Sequence, residues 1–448
     1  MSGPSEGDAT PITSVRQMVE HIAAGAKPRE AWRIGTEHEK IPFRLRDHSP
    51  PPYAGEDGIG ALLAAVAETG WETVLDQGNV VGLRRGRATV SLEPGGQFEL
   101  SGAPLADLHA TKAELDEHLD AARAAGARLG LGFLPHGFHP LARRDEMPWM
   151  PKSRYAIMRR YMPLKGALGL DMMLRTATVQ VNLDFEDEAD MVEKFRISLA
   201  LQPVATALFA NSPFTEGRPN GFRSYRANVW TDTDPDRCGI PAFVFEPGFG
   251  YEAWVEYLLD VPMYFVVREG RYIDLAGQSF RDFLAGRLPG LPGAVPTLGD
   301  FADHITTAFT EVRLKRYLEM RGADSGPPGM LMALPALWVG LLYDTGAQGE
   351  AAALIAGNTC GDWQALHRDV PRLGLAAPWC GGTVASLARE VVAIAKRGLA
   401  ARGLGEEAYL APIEEIAATG RTLADRWLDR FATAWGGDVA RIFDEGGL

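Results

Sequence analysis

Cysteine is scarce in this 448-residue chain, whose three cysteines, Cys238, Cys360 and Cys380, lie far apart. Their spacing offers neither a disulfide framework nor a Cys/His zinc site, and a low, odd count is typical of a reducing compartment. Basic charge is also in deficit, with 45 Lys and Arg against 58 Asp and Glu and a net charge of −13. A general nucleic-acid binder needs a basic footprint, so no nucleic-acid partner is expected.

Long apolar runs and targeting signals are lacking as well. The longest apolar stretch, at about 333–343, contains Pro335 and is too short to span a bilayer, so no membrane partner is expected. Residues 1–10 are small and acidic, without the basic and apolar regions of a signal peptide. Together with the cysteine count, these features predict a cytoplasmic protein.

Several common catalytic motifs are missing. The chain has no GxxxxGK[ST] loop, no GxGxxG after a strand and no Gly-x-Ser-x-Gly elbow. His136 and His139 flank a Gly-Phe turn without further ligands at zinc spacing, which favours a structural role. A nucleotide, if used, must therefore be held by metal ions on a sheet rather than by a glycine-rich loop.

Acidic segments with alternating polar and apolar residues are the main positive signal. They lie at residues 35–40, 91–99, 178–182 and 317–322, and their period of two is that of half-buried strands. A sheet face lined with carboxylates and amides is costly unless a cation sits on it. The pattern points to Mg2+ carrying a nucleotide phosphate.

The order of predicted elements indicates an α+β fold with a largely antiparallel sheet, because strands come in runs without regular βαβ alternation. Residues 1–12 are predicted to be a flexible tail, and residues 13–448 a single domain. The first acidic strand is expected to stop at Pro42, and residues 174–185 form the clearest predicted strand. Residues 286–296 and 322–329 are predicted loops.

Two pairs of glutamates are the first candidate metal ligands. Glu37 and Glu39 leave the same face of a strand about 6.6 Å apart, close enough to share or bracket cations. Glu93 and Glu99 would be about 20 Å apart on a straight strand, but residues 94–96, Pro-Gly-Gly, are expected to turn the chain and bring them closer. An exposed edge pair and a plain surface hairpin are the alternatives.

Two further strands carry polar candidates. Gln180 and Asn182 share the polar face of a strand whose other face is apolar, and could line a cleft or simply be solvated. Glu319 and Arg321 share one side of another strand, where an ordinary ion pair is the alternative. Arginine suits an acidic substrate through bidentate contacts. The candidates are Arg154, Arg159, Arg160, Arg223 and Arg226, and an ordinary surface arginine is the alternative for each.

Long strings of this sequence resemble the plant and proteobacterial type of glutamate–cysteine ligase. They include WRIGTEHEK at 32–40, RTATVQVNLDF at 175–185 and EVRLKRYLEMRGAD at 311–324, with further matches at 210–217 and 260–265. The resemblance implies a glutamine-synthetase-like curved antiparallel sheet, a bowl surrounded by helices. It also implies ATP-dependent joining of the γ-carboxylate of glutamate to the amine of cysteine, the first step of glutathione synthesis.

The resemblance also implies a role for each matched residue. The magnesium ligands would be Glu37, Glu39, Glu93, Glu99 and Glu319, with ATP as co-substrate. Arg154 and Arg226 would hold glutamate, Gln180 would face the substrate, and Tyr264 would cover the cysteine site. Arg321, with Glu319, would act at the transferring phosphate. The small molecules glutamate, cysteine and ATP would be the partners of a monomer or homodimer.

One departure from the plant enzymes is visible, because Leu275 and Gly290 stand where those enzymes carry regulatory cysteines. A plant-style disulfide switch is therefore not expected. A sister ligase that joins glutamate to a different amine, and a catalytically silent binding protein of the same fold, remain as alternatives.

Overall fold

A nine-stranded sheet organises the chain in the computed structural model, which describes residues 7–448. The strands of this part of the chain are β1 (Ile34–Arg44), β2 (Glu72–Asp76), β3 (Asn79–Arg85), β4 (Ala88–Leu92), β5 (Phe98–Ser101), β6 (Leu131–Leu134), β7 (Thr178–Leu183), β8 (Phe214–Thr215), β9 (Arg218–Pro219), β10 (Cys238–Gly239), β11 (Phe265–Arg268), β12 (Arg271–Asp274), β13 (Phe309–Thr310), β14 (Val312–Leu314), β15 (Leu318–Asp324), β16 (Pro378–Trp379) and β17 (Gly382–Thr383).

Helices connect and cover these strands. Over the same residues they are α1 (Val15–Ala23), α2 (Ile59–Ala67), α3 (Leu108–Leu129), α4 (Arg154–Tyr161), α5 (Gly169–Arg175), α6 (Glu188–Leu208), α7 (Tyr225–Trp230), α8 (Tyr251–Asp260), α9 (Phe280–Leu284), α10 (Leu298–Ile305), α11 (Pro328–Leu342), α12 (Thr345–Ile355), α13 (Cys360–Leu373), α14 (Val384–Arg402), α15 (Ala411–Thr419), α16 (Leu423–Ala432) and α17 (Arg441–Gly446). No single helix among them is long and apolar enough to cross a membrane, although α11 and α12, joined at a bend of 90°, reach the length and composition together.

The main sheet is antiparallel throughout. Its strand order is β14-β15-β7-β1-β5-β4-β3-β2, and β6 pairs with the C-terminal half of β1. Strands in sequence-local hairpins beside long helices, without parallel crossovers in this sheet, confirm the predicted α+β class.

Burial separates the two faces of the central strands. In β7, Val179, Val181 and Leu183 are fully buried in one core with residues of α6 and α11, including Val204 and Leu337. Successive side chains of a strand point to opposite faces, so Gln180 and Asn182 project from the other side. The helices thus cover one face of the sheet, and the other face is left to line a cavity.

Three predicted boundaries were wrong. β1 continues past Pro42 to Arg44, because beyond Lys40 it pairs only with β6 and its other edge needs no donor. The strand predicted at 174–185 is shorter: residues 174 and 175 end α5, and β7 begins at Thr178. The loop predicted at 322–329 begins inside β15 and ends inside α11, whose first residue is Pro328, a position that suits proline.

The predicted N-terminal tail lies partly outside the described residues, which start at residue 7. From residue 10 onward the chain is held beside the start of α10. The amide of Ile12 donates to the carbonyl of Pro296 at 2.8 Å, and the amide of Leu298 donates to the carbonyl of Thr10 at 2.9 Å. Ile12 is buried in the main core.

Candidate active site

A cavity of about 180 Å³ lies on the polar face of the main sheet, where β15, β7, β1 and β5 run side by side. Nine of the ten residues proposed from the sequence line it: Glu37, Glu39, Glu93, Glu99, Arg154, Gln180, Arg226, Tyr264 and Arg321. Glu319 does not line it. Residues from distant parts of the chain therefore meet in one place, as the acidic pattern predicted.

Strand register brings the glutamates together. Glu39 lies directly opposite Glu99 on the β1–β5 ladder, and Glu37 lies opposite Gln180 on the β1–β7 ladder. Glu93 joins them through the predicted turn, in which the amide of Gly96 donates to the carbonyl of Glu93 at 2.9 Å. The turn requires glycine: Gly96 has φ 91°, and a Cβ on Gly95 would lie 2.1 Å from the Leu174 carbonyl oxygen.

These four carboxylates have no basic partner, because none of the ion pairs between residues 7 and 448 includes Glu37, Glu39, Glu93 or Glu99. Burial raises the pKa of Glu39 well above its ordinary value, and the neighbouring Glu93 and Glu99 carboxylates add to the rise. Burial also raises the pKa of Glu37, with Glu319 and Glu99 adding to it. A cation placed among these groups would relieve both effects.

The donor set fits a hard cation completed by other ligands. Carboxylate oxygen is what Mg2+ prefers, and proteins usually hold this ion with one or two carboxylates plus substrate phosphates. In the described part of the chain, no three or more His, Cys, Asp or Glu side chains already form a metal site. An ion here would therefore need oxygens from a bound nucleotide.

Glu319 has surroundings unlike those expected of a metal ligand. It is fully buried, and three cations share its carboxylate: Arg313 Nε at 2.8 Å, Lys315 Nζ at 3.0 Å and Arg321 Nη1 at 2.8 Å. Although burial alone would raise the pKa of Glu319, these three cations lower it well below the usual range. Its lone pairs are occupied by basic donors, so the magnesium role expected of Glu319 does not fit this geometry.

Both predicted glutamate-binding arginines carry an unused donor. The Nε atoms of Arg154 and Arg226 are buried without a hydrogen-bond partner among the described residues. Such groups are costly in a folded protein unless a ligand satisfies them. Because both arginines line the cavity, their orphan donors point to an anionic substrate.

A buried carboxylate fixes the segment that carries Arg226. Asp324 accepts hydrogen bonds from the hydroxyls of Ser212 at 2.6 Å and Ser224 at 2.7 Å. The Ser212 hydroxyl in turn accepts the backbone amide of Arg226 at 3.1 Å, and Ser224 caps α7. The sequence reasoning missed Asp324, because only the fold brings it to these serines.

Arg321 lies at a bulge, where the β15–β7 register shifts between Met320 and Ala323. Its Nη1 donates to Gln180 Oε1 at 3.0 Å, and its backbone carbonyl accepts from Arg226 Nη2 at 2.9 Å. One residue therefore presents a guanidinium to the cavity and a carbonyl to the arginine beside it. Gln180 contacts this guanidinium as well as lining the cavity.

Tyr264 supplies an aromatic wall. Only 1% of it is exposed, its hydroxyl lies 3.4 Å from Asp234 Oδ2, and the Arg237 guanidinium carbon lies 4.0 Å from its ring centroid. The hydroxyl is thus engaged with the Asp234–Arg237 ion pair, while the residue lines the cavity.

Other lining residues were missed by the sequence reasoning. They include the apolar residues Met158, Met172, Met173, Trp230 and Phe309, the polar residues Gln97, Thr306 and Thr307, and the basic residues Arg313 and Lys315. Arg313 and Lys315 lie in the segment 311–324 that was already singled out, and their alternation with apolar residues was the available signal. The methionines carry no such pattern.

Comparison with known proteins gives consistent matches. The model of the family described as Glutamate-cysteine ligase family 2 (GCS2) matches residues 33–445. The chloroplastic glutamate–cysteine ligase of Brassica juncea is 52% identical over 438 residues, covering 98% of this chain and 85% of that protein. The chloroplastic enzyme of Arabidopsis thaliana is 51% identical over 438 residues, covering 98% of this chain and 83% of that protein.

A solved structure shares the fold. It is a glutamate–cysteine ligase from Francisella tularensis in complex with AMP, with a TM-score of 0.53 and 11% identity over 90% of this chain and 85% of that chain. Together with the antiparallel sheet, this likeness confirms the predicted α+β fold, in which a large antiparallel sheet is surrounded by helices.

The cytoplasmic location predicted from the sequence is wrong by these comparisons. Relatives from Brassica juncea, Medicago truncatula, Arabidopsis thaliana and rice, 50–52% identical over nearly the whole chain, are all named as chloroplastic proteins. Those names place the relatives in the plastid. Scarce cysteine indicates a reducing interior, which does not distinguish one such compartment from another.

Proposed function

The chain belongs to Glutamate-cysteine ligase family 2, and on that premise we propose that the cavity on the main sheet is where ATP, glutamate and cysteine react. The enzyme joins the γ-carboxylate of L-glutamate to the amine of L-cysteine, with conversion of ATP to ADP and phosphate, as the first step of glutathione biosynthesis.

One observation carries the assignment of the site: unpaired carboxylates and unsatisfied guanidinium donors line the same cavity. Glu37, Glu39, Glu93 and Glu99 lack basic partners, while Arg154 and Arg226 each bury an unused Nε. The first set requires a cation and the second an anion. Metal-bound nucleotide and glutamate meet both requirements at once.

The four glutamates would hold Mg2+ at this site. When bound, the ion would supply positive charge to the phosphate oxygens of ATP and lower the repulsion that an incoming carboxylate meets. Glu39 and Glu99, opposed across one ladder, and Glu93 at the adjoining turn place three carboxyl groups along one edge of the cavity. Glu37 lies beside them, with Asn182 Nδ2 donating to its Oε1 at 3.0 Å.

Arg154 and Arg226 would bind the carboxylates of glutamate and orient it toward the nucleotide. Guanidinium suits this task because its planar donors match carboxylate geometry. Arg226 is held by the Arg321 carbonyl and by the serines on Asp324. Its position is therefore set before the substrate arrives.

The reaction then needs positioning and charge rather than a protein nucleophile. An oxygen of the glutamate γ-carboxylate attacks the γ-phosphorus of ATP, the bond to the β–γ bridging oxygen breaks, and γ-glutamyl phosphate and ADP result. Arg321 stabilises the charge on the transferring phosphoryl group. The cysteine amine next attacks the acyl carbon, loses a proton and expels phosphate. Tyr264 would line the side of the cavity that receives cysteine, and Gln180 would orient Arg321.

Glu319 would serve as a positioning residue in this scheme. Its carboxylate orders Arg313, Lys315 and Arg321 on one side of the sheet. A metal role is not proposed for it, since its oxygens already accept from these three side chains.

We also infer that residues 13–448 form one catalytic domain. Residues of the C-terminal helices, such as Leu399 of α14 and Ile413 of α15, share a core with Val181 of β7. The cavity is built from one chain, which is compatible with either a monomer or a homodimer. The mass in solution, measured by light scattering, distinguishes the two.

The decisive experiment measures ADP release with glutamate, cysteine and Mg2+, and identifies the product by mass spectrometry. We expect γ-glutamylcysteine in amounts equal to ADP. Arg154→Ala should abolish glutamate-dependent turnover, whereas Arg159→Ala on the same helix, outside the cavity, should not. A larger yield with another amine would favour the sister-ligase alternative, and no glutamate-dependent ADP release would contradict the function.

A further inference from the structure

Lys315 is a basic residue of the cavity to which the scheme above gives no contact with substrate. It follows β14 at the edge of the main sheet and lines the cavity. Its Nζ lies 3.0 Å from Glu319 Oε2 and 5.3 Å from the centroid of the Tyr317 ring.

The three cations that share Glu319 differ in the donors they have left. Nearly all donors of Arg313 are engaged, since Nε and Nη2 donate to Glu319 and Nη1 donates to the Ala308 carbonyl at 3.0 Å. Only 6% of its side chain is exposed. Lys315 is the most open, with 19% of its side chain exposed. Of the three donors of its ammonium, one reaches Glu319 and another makes only a 3.4 Å contact with the Tyr317 hydroxyl.

Positive charge is in excess on this side of the sheet. Glu319 pairs with three cations on β14, β15 and the turn between them, and Glu37 of β1 is a second carboxylate whose charge acts on Arg313 and Lys315. The unpaired glutamates lie on the other side of β7, on β1, β5 and the turn before β5. Burial alone would lower the pKa of Lys315, but Glu319 and Tyr317 raise it above its usual value, so the ammonium is charged at neutral pH.

We propose that Lys315 binds a phosphate oxygen of the nucleotide. In this arrangement Glu319 holds the ammonium in place, and Arg313 fixes the Glu319 carboxylate through two hydrogen bonds. This inference rests on the proposed function, because it assigns one end of the same nucleotide. A triphosphate laid across β7 would meet metal-bearing glutamates at one end and Lys315 with Arg321 at the other. Glu319 is the shared counter-ion that keeps these two cations apart and aimed at the cavity.

The test compares Lys315→Met, which keeps chain length without charge, with Lys315→Arg. Lys165→Met is a matched control, because Lys165 pairs with Asp236 at 2.5 Å and lies 5.5 Å from the Tyr161 ring, yet does not line the cavity. Two quantities are measured for each: KM for ATP and for glutamate in the coupled assay, and the affinity for ADP with Mg2+ by calorimetry in the absence of glutamate.

We expect Lys315→Met to raise the KM for ATP and the Kd for ADP by about ten- to a hundredfold, the value of one charge-assisted hydrogen bond. The KM for glutamate should change by less than about threefold, and Lys315→Arg should restore part of the loss. Wild-type-like ADP affinity in Lys315→Met would overturn the proposal, as would equal losses for ATP and glutamate. Failure of the wild-type enzyme to form the dipeptide would instead refute the proposed function, and the ADP affinities would still be compared.

Discussion

Replacing Glu39 with glutamine should make the metal-free protein more stable while abolishing its activity. Glu39 lies directly opposite Glu99, and no ion pair in the described part of the chain neutralises either residue. Glutamine keeps the shape of the side chain and can still accept the Thr178 amide that now donates to Glu39 at 3.0 Å. The substitution therefore removes a charge and little else.

The size of the gain follows from the register. Residues directly opposite on an antiparallel ladder have Cβ atoms about 5 Å apart, and two unit charges at that distance repel by about 3 kcal/mol at an effective dielectric constant of about 20. Because Glu39 is only half-buried, solvent screens part of this, and the attraction of Arg226 for the same charge offsets another part, so a gain of about 1–3 kcal/mol remains. For a chain of 448 residues, whose entropy of unfolding is about 0.9 kcal/mol/K, that is a rise of about 1–3 °C in Tm.

The assay is thermal unfolding in EDTA and again with Mg2+ and ADP, beside the ADP-release assay. Glu319→Gln is the matched control, because the same chemical change there removes the partner of three cations and should cost about 3–5 kcal/mol. A Glu39→Gln protein that is less stable than wild type in EDTA, or that keeps wild-type turnover at low Mg2+, would refute the reasoning.

Four further outcomes are expected. Arg226→Ala should raise the KM for glutamate far more than that for ATP, as steady-state kinetics will show. Asp324→Asn should weaken hydrogen bonds of about 1.5–3 kcal/mol each, seen as a lower free energy of unfolding and a selectively higher KM for glutamate. Burial and like charges raise the pKa of Glu37 and Glu39 in the folded state. The metal-free protein should therefore be most stable below the ordinary pKa of these groups, and its stability should fall as the pH rises through their raised folded-state pKa. A pH series of Tm should show this loss, and Mg2+ should reverse it. Because burial raises the pKa of Cys238 to about 12, oxidised glutathione should leave the Cys238 thiol unmodified, as peptide mass spectrometry will show.

Local patterns in the sequence predicted the acidic half of the site. Alternation put Glu37 and Glu39 on one face of β1, and Pro94-Gly95-Gly96 predicted the turn that brings Glu93 toward Glu99. Both signals are short-range, since side-chain direction in a strand and the conformations open to glycine are set by the residues themselves.

What the sequence did not reveal depends on how strands and turns pack together, whether their residues are near or far along the chain. Alternation placed Glu319 on a polar face, but its partners come from the facing strand (Arg313) and from the hairpin turn (Lys315), and their number decides whether its carboxylate is free. Asp324 meets Ser212 and Ser224 only in the fold. The end of α5 was misread as strand because a short apolar run has no period of its own.

The bulge at Arg321 ties two ligands to one residue. Its guanidinium lines the cavity, where it is proposed to meet the transferring phosphate, and its carbonyl accepts from the arginine that is proposed to hold glutamate. Any shift that the nucleotide imposes on this backbone is felt at the amino-acid site, and the reverse holds by thermodynamic reciprocity. The factor by which saturating glutamate changes the Kd for the nucleotide should therefore equal the factor by which the nucleotide changes the Kd for glutamate.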